Sequence, residues 1–162
     1  MNVFRLLMMM LLFLPAAALE PASGKIILTI NGKVGEKNTA TAAVFDLAML
    51  EKLPQQSFST KTPWDALPIK FTGPLLRDVL RAAKASGQQI KAVALNDYKT
   101  EIPFDDVNQF NMLLAHKMNG QAIPARTKGP LFIVYPYDSK PELQTKPYYE
   151  RSAWQVKTLS IE

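Results

Sequence analysis

Residues 71–87 read FTGPLLRDVLRAAKASG, and this stretch decides the fold. Ile69 to Phe71 reads as a short strand. A helix is then predicted over residues 74–86. Pro74 falls in its first turn, where the missing N–H costs nothing. Leu75, Leu76, Val79, Leu80 and Ala83 form one apolar face, and Arg77, Asp78, Arg81 and Lys84 form the other. Gly87 is placed to cap the C-terminus.

Strands dominate on both sides of this helix. Upstream, Lys25 to Lys33 is strand-like and ends at Asn31-Gly32, a strong turn pair. Thr39 to Phe45 reads as a second strand. Asp46 can cap a short helix carrying Leu47, Leu50 and Leu53, which Pro54 stops. Ser57 to Thr62 is extended. Downstream, Ile90 to Leu95 and Lys99 to Phe104 flank a turn at Asn96-Asp97. Asp105 to Phe110 suits one helical turn, and Met112 to Met118 is a strand ending at the hairpin signal Asn119-Gly120. Leu131 to Tyr135 is a buried strand. Pro136 to Pro147 is a long polar connection of the kind that is usually functional or mobile. From Ala153 to Ile161 a last strand changes face between Val156 and Leu159, which predicts a bulge near Lys157-Thr158. The expected fold class is α+β and β-rich: a single compact domain of mixed sheets with two or three helices.

The ends and the composition bound the function. Arg5, the apolar run Leu6 to Leu14, Pro15 and Ala16-Ala17-Ala18 have the order of a cleavable signal peptide. The apolar run falls short of the ~20 residues needed to span a bilayer. The expected organisation is a signal peptide over 1–18, a short tail over 19–24 and one domain over 25–162, exported to the periplasm without a membrane anchor. Zero cysteine excludes disulfides, thiolate catalysis and cysteine metal sites. The basic excess is mild and scattered, so no nucleic-acid partner is expected, whereas small anionic ligands suit such a surface.

Chemistry-bearing residues are few. His116 is the sole histidine and lies in an apolar strand, where a structural role is expected. No nucleophile-elbow pattern is present. Asp105-Asp106 reads as a helix start, and Asp97 with Glu101 flanks a hairpin. Arg126-Thr127-Lys128-Gly129-Pro130 is more informative. Arg126 and Lys128 alternate on a segment read as extended, so both side chains can share a face and meet a phosphate or carboxylate. Gly129 permits close backbone approach. Thr60, Thr62, Trp64 and Asp65 form one polar–aromatic segment, and Tyr148, Tyr149, Arg151 and Trp154 form another; core or rim packing and a ligand cleft both suit them.

In order along the chain, these segments resemble the molybdopterin-binding oxidoreductase domain, the fold shared by sulfite oxidases and the bacterial methionine-sulfoxide-reductase catalytic subunit. The matching stretches begin with Thr60-Lys61-Thr62-Pro63-Trp64, Phe71-Thr72-Gly73-Pro74-Leu75-Leu76 and Ala94-Leu95-Asn96-Asp97-Tyr98. They continue through Ile102-Pro103 with Asp105, Leu114-Ala115, Arg126 to Leu131, Tyr135-Pro136 and Arg151 to Val156. The resemblance implies sheets with helices around them and a cofactor cleft lined by three loops. Those loops would supply Thr60, Thr62 and Trp64, then Asn96, Asp97 and Tyr98, then Arg126 and Lys128, with Arg151 and Trp154 completing a polar, cationic cleft. In catalytic relatives a cysteine thiolate ahead of the segment equivalent to Phe71–Leu75 binds molybdenum. Here that region offers Ser57, Ser59, Thr60 and Thr62, and a hard hydroxyl is no simple stand-in for a soft thiolate. No cofactor, metal ligand or catalytic residue is therefore expected, with molybdopterin the alternative. The expected function is an exported binding module that holds a small anionic or polar ligand or serves a membrane sensor or redox partner. The alternatives are a minimal molybdopterin-dependent oxidoreductase and a protein–protein subunit docking through the 136–147 connection.

Overall fold

The computed structural model describes residues 18–162, so the signal peptide read over 1–18 lies almost wholly outside the described residues. The first half of the chain runs β1 (Ile26–Gly32), β2 (Ala43–Asp46), α1 (Leu47–Lys52), β3 (Gln55–Thr62), β4 (Asp65–Pro74) and α2 (Leu76–Ala82). The second half runs β5 (Gln89–Ala94), β6 (Lys99–Pro103), α3 (Phe104–Gln109), β7 (Leu113–Ala115), β8 (Lys117–Met118), β9 (Gln121–Ala122), β10 (Phe132–Val134), α4 (Lys146–Arg151) and β11 (Val156–Ile161). The result is a β-rich α+β domain with mixed sheets.

Alternation builds the main sheet. Leu28 and Ile30 on β1, and Ile90, Ala92 and Ala94 on β5, are all completely buried, while their neighbours face outward. The strand order is β2-β1-β11-β5-β6. β1 and β11 are parallel, and the other pairs are antiparallel. The register of β11 on β5 shifts between Val156 and Thr158, as its change of face predicts. A second sheet runs β3-β4-β8-β9, and β7 pairs with β10 in a small two-stranded sheet whose residues are all buried. One hydrophobic core joins all three.

Local differences from the sequence reading have physical causes. The helix over 74–86 is shorter than expected, because Pro74 pairs with Gln55 as the end of β4. Gly73 explains the delay: a Cβ there would stand 2.2 Å from the Leu114 carbonyl oxygen, so β4 must finish crossing β7 before the chain can coil. At the other end Lys84, not Gly87, takes the left-handed backbone conformation (φ 46°). Gly32 has φ +82° but makes no hairpin; it lies against Ile161 across the parallel pair. The connection over 136–147 is packed rather than loose. It forms two short 3-10 turns, and Tyr137 and Leu143 are completely buried. It leads into α4, the fourth short helix among the described residues, where two or three were expected. Asp46 caps α1 as predicted, accepting from the Met49 N–H at 2.8 Å.

Candidate functional site

Three loops and α4 meet around a cavity of about 360 Å³. Trp64 stands at the tip of the β3–β4 hairpin, where Pro63 and Trp64 form the turn. Asn96 and Tyr98 come from the β5–β6 hairpin, Tyr149 from α4, and Trp154 from the segment entering β11. Asn96 shapes its own turn, since its Oδ1 accepts from the Tyr98 N–H at 3.1 Å and Asp97 adopts φ 64°. The Tyr98 hydroxyl then donates to the Glu150 carbonyl oxygen at 3.0 Å, tying that hairpin to α4.

The walls are aromatic. The Trp64 ring centroid lies 5.3 Å from that of Trp154 and 5.9 Å from that of Tyr149. Both tryptophans rest on Phe132, at 6.0 and 6.1 Å, so the buried sheet beneath them fixes their positions. Lys128 braces the same pair: its ammonium is 5.9 Å from the Trp64 ring centroid and 5.4 Å from that of Trp154. Asp65 neutralises that charge at 2.8 Å. Burial pushes the Asp65 carboxyl up, but hydrogen bonds from Lys128 and Thr62 outweigh it and hold the group below the ordinary aspartate value. Ser152 also lines the cavity, although its hydroxyl is taken by Tyr137 and the Tyr148 carbonyl oxygen.

Of the residues expected in the cleft, Trp64, Asn96, Tyr98 and Trp154 line this cavity together, joined by Tyr149 from the second aromatic segment. Lys128 sits against its tryptophans without lining it. Thr60 and Thr62 are structural supports. Buried Thr60 accepts from the Asp138 N–H at 3.0 Å, and Thr62 donates to Asp65 at 2.7 Å. Asp97 is turned to the surface and pairs with Lys157 at 2.9 Å. Arg151 faces inward to Asp106 at 3.0 Å, and the same carboxylate oxygen accepts from the Tyr135 hydroxyl at 2.7 Å.

The shared face expected for Arg126 and Lys128 does not form. Residues 125–128 make a turn closed on the Pro124 carbonyl oxygen, which accepts from the N–H groups of Thr127 and Gly129, both at 3.0 Å. Arg126 is exposed and lies outside the cavity wall. Close approach at Gly129 is real, because a Cβ there would stand 1.9 Å from the Ile123 carbonyl oxygen. His116 is buried and bonded to Gln55 at 2.8 Å, a structural role. Burial also holds its imidazole below the ordinary histidine value. Sequence reasoning named Tyr149 in an aromatic segment suited to core, rim or cleft but did not place it in the cleft, and it missed Lys146, Glu150 and Ser152 as wall residues; reading 136–147 as a loop hid the helix that presents Lys146, Tyr149 and Glu150.

The family model described as the oxidoreductase molybdopterin binding domain matches residues 25–138, well over half of the chain. No curated protein matches it. The donor set does not fit a thiolate-held molybdenum. The sequence has no cysteine, and three of the four hydroxyls in the corresponding region are engaged: Ser57 with Thr72 at 2.7 Å, Thr60 with the Asp138 N–H, and Thr62 with Asp65; the fourth, exposed Ser59, offers a hard oxygen in place of a soft thiolate. Fold, ordered motifs and family match agree, and the chain belongs to the oxidoreductase molybdopterin binding domain family.

Proposed function

We propose that this domain is an exported, periplasmic binding module that holds a small polar ligand in the Trp64–Trp154 cavity, without molybdenum chemistry. The observation that carries the reading is the convergence of two tryptophans and two tyrosines from separate elements on one opening. Four such rings cover apolar ligand surface at little entropic cost, and a cavity of about 360 Å³ is within the usual small-ligand range. The aromatic rings supply contact area. Asn96 supplies direction: its Oδ1 is taken by Tyr98, which leaves its NH2 to donate. Lys128 and Arg151 are each paired with a carboxylate, so the polar rather than the anionic half of the expectation is the better supported.

Trp64 and Trp154 are the chain's two tryptophans, so intrinsic fluorescence reports on the cavity directly. Titration with the small-molecule fraction of the native exported compartment is expected to shift their emission saturably. Tyr149→Leu, which removes one wall, is expected to weaken the response at least about tenfold, the scale of a lost aromatic contact. An unchanged response in that variant rejects the cavity as the binding site. Membership of the family favours the oxidoreductase alternative, and stoichiometric molybdenum in the native protein would replace the binding reading with it.

A further inference from the structure

We propose that the cavity takes a small organic cation, an alkylammonium head group of the choline or betaine class. This deepens the binding-module reading and rests on it.

The first observation is the angle between the walls. The Trp64 and Trp154 ring planes meet at 50°, and those of Trp64 and Tyr149 at 71°. A flat heterocycle gains most from a parallel face or slot. Steeply inclined rings instead enclose a corner, which suits a rounded group such as trimethylammonium. Tyr98, itself partly exposed, stands on the same cavity and brings a fourth ring.

The second observation is that these rings already attract a cation. The Lys128 ammonium lies 5.4 and 5.9 Å from the two tryptophan centroids, within the ~6 Å over which a ring quadrupole holds positive charge. Asp65 balances that ammonium, so Lys128 does not present a net charge that would repel a second cation.

The third is a replaceable counter-charge. Glu150 lines the cavity and is paired with Lys146 at 3.4 Å, both side chains being largely in solvent. Such an exposed pair is weakly held. A ligand ammonium can take the place of Lys146 beside the Glu150 carboxylate while its methyl groups contact the rings. The Asn96 amide is then placed to donate to a ligand hydroxyl or carboxylate.

The test uses the mature chain with choline, tetramethylammonium and 3,3-dimethylbutan-1-ol, the uncharged isostere of choline, followed by calorimetry and tryptophan emission. Choline and tetramethylammonium are expected to bind saturably. Choline is expected to bind at least about tenfold more tightly than the isostere, since the two differ in the positive charge that the rings and the Glu150 carboxylate both attract. Glu150→Gln should weaken choline several-fold and leave the isostere unchanged. Tyr98→Leu, at an exposed position, should weaken choline in a chain whose thermal unfolding remains cooperative, which separates lost recognition from lost folding. Equal affinity for choline and the isostere overturns the proposal. If neither ammonium compound binds while a compound from the exported compartment still shifts the emission, the cation assignment fails and the binding module stands. If nothing shifts the emission, both fail.

Discussion

At Gly129 and Gly73 the backbone itself is the packing partner. A Cβ would stand 1.9 Å from the Ile123 carbonyl oxygen at the first and 2.2 Å from that of Leu114 at the second. Neither obstacle is the movable end of a side chain, so strands must shift. Gly129→Ala and Gly73→Ala are each expected to cost about 2 kcal/mol or more, in the range of overpacked cores, with urea unfolding as the measurement. Gly120 is the control: nothing lies within 4 Å of its Cβ position, and its φ of +80° is the sole objection to a side chain. Gly129 was legible as a point of close approach because it stands beside Pro130 in a segment of chemistry-bearing residues. The roles of its neighbours were not. Reading residues 125–128 as extended placed Arg126 and Lys128 on one face, and the turn on Pro124 undoes that. Alternation argues for shared faces only where a sheet holds the chain flat, and no partner strand pairs with this segment.

Among the elements, α3, α4 and the end of β10 are locked by one carboxylate. Asp106 Oδ2 accepts from both Arg151 and Tyr135, and the residue is almost wholly buried. Burial, followed by the Asp106 carboxylate, pushes the Tyr135 phenol far above its ordinary value, so it stays a donor at any working pH. Asp106→Ala leaves a guanidinium and a buried hydroxyl without their partner and is expected to cost about 3 kcal/mol. Arg151→Ala should cost less by itself, and the double variant should fall well short of the sum in denaturant titrations, because both side chains serve one interaction. Arg151 was a site residue in the sequence reading and is a structural one in the fold. Its charge and its aromatic neighbours were visible; its partner, 45 positions away on another helix, was not. Local signals fared better. The Asp46 cap, the hairpins at Asn96-Asp97 and Asn119-Gly120 and the β11 bulge all depend on residues within a few positions of one another.

For the whole molecule, buried and hydrogen-bonded groups make stability fall on acidification, in two stages. Burial depresses the His116 imidazole, so the unfolded chain binds its proton more readily, and stability is lost as the pH drops below the ordinary histidine value of about 6.5. The second stage begins below the ordinary aspartate value of about 3.8. There the Met49 and Gly24 N–H groups hold the Asp46 carboxyl low, and the Lys128 and Thr62 hydrogen bonds do the same for Asp65 against its burial. Each carboxylate therefore contributes stability above that value, which protonation removes on descent. The thermal midpoint should be flat from neutrality down to about 6.5, and His116→Gln should erase the first decline while sparing the second.

At this scale the fold class was readable from the ordered segments, since each strand and turn is local. The cavity was half readable. Its hairpin residues announce themselves by type, but α4 closes it from a segment whose polar composition imitates a loop. The chain has the fold of its family and a cavity walled by aromatic side chains, and its sequence has no cysteine to supply a thiolate. The most direct measurement is the molybdenum content, per chain, of protein purified from its native compartment. Far less than one molybdenum per chain is expected, in protein whose tryptophan emission still responds to ligand. One molybdenum per chain would overturn a binding module without molybdenum chemistry.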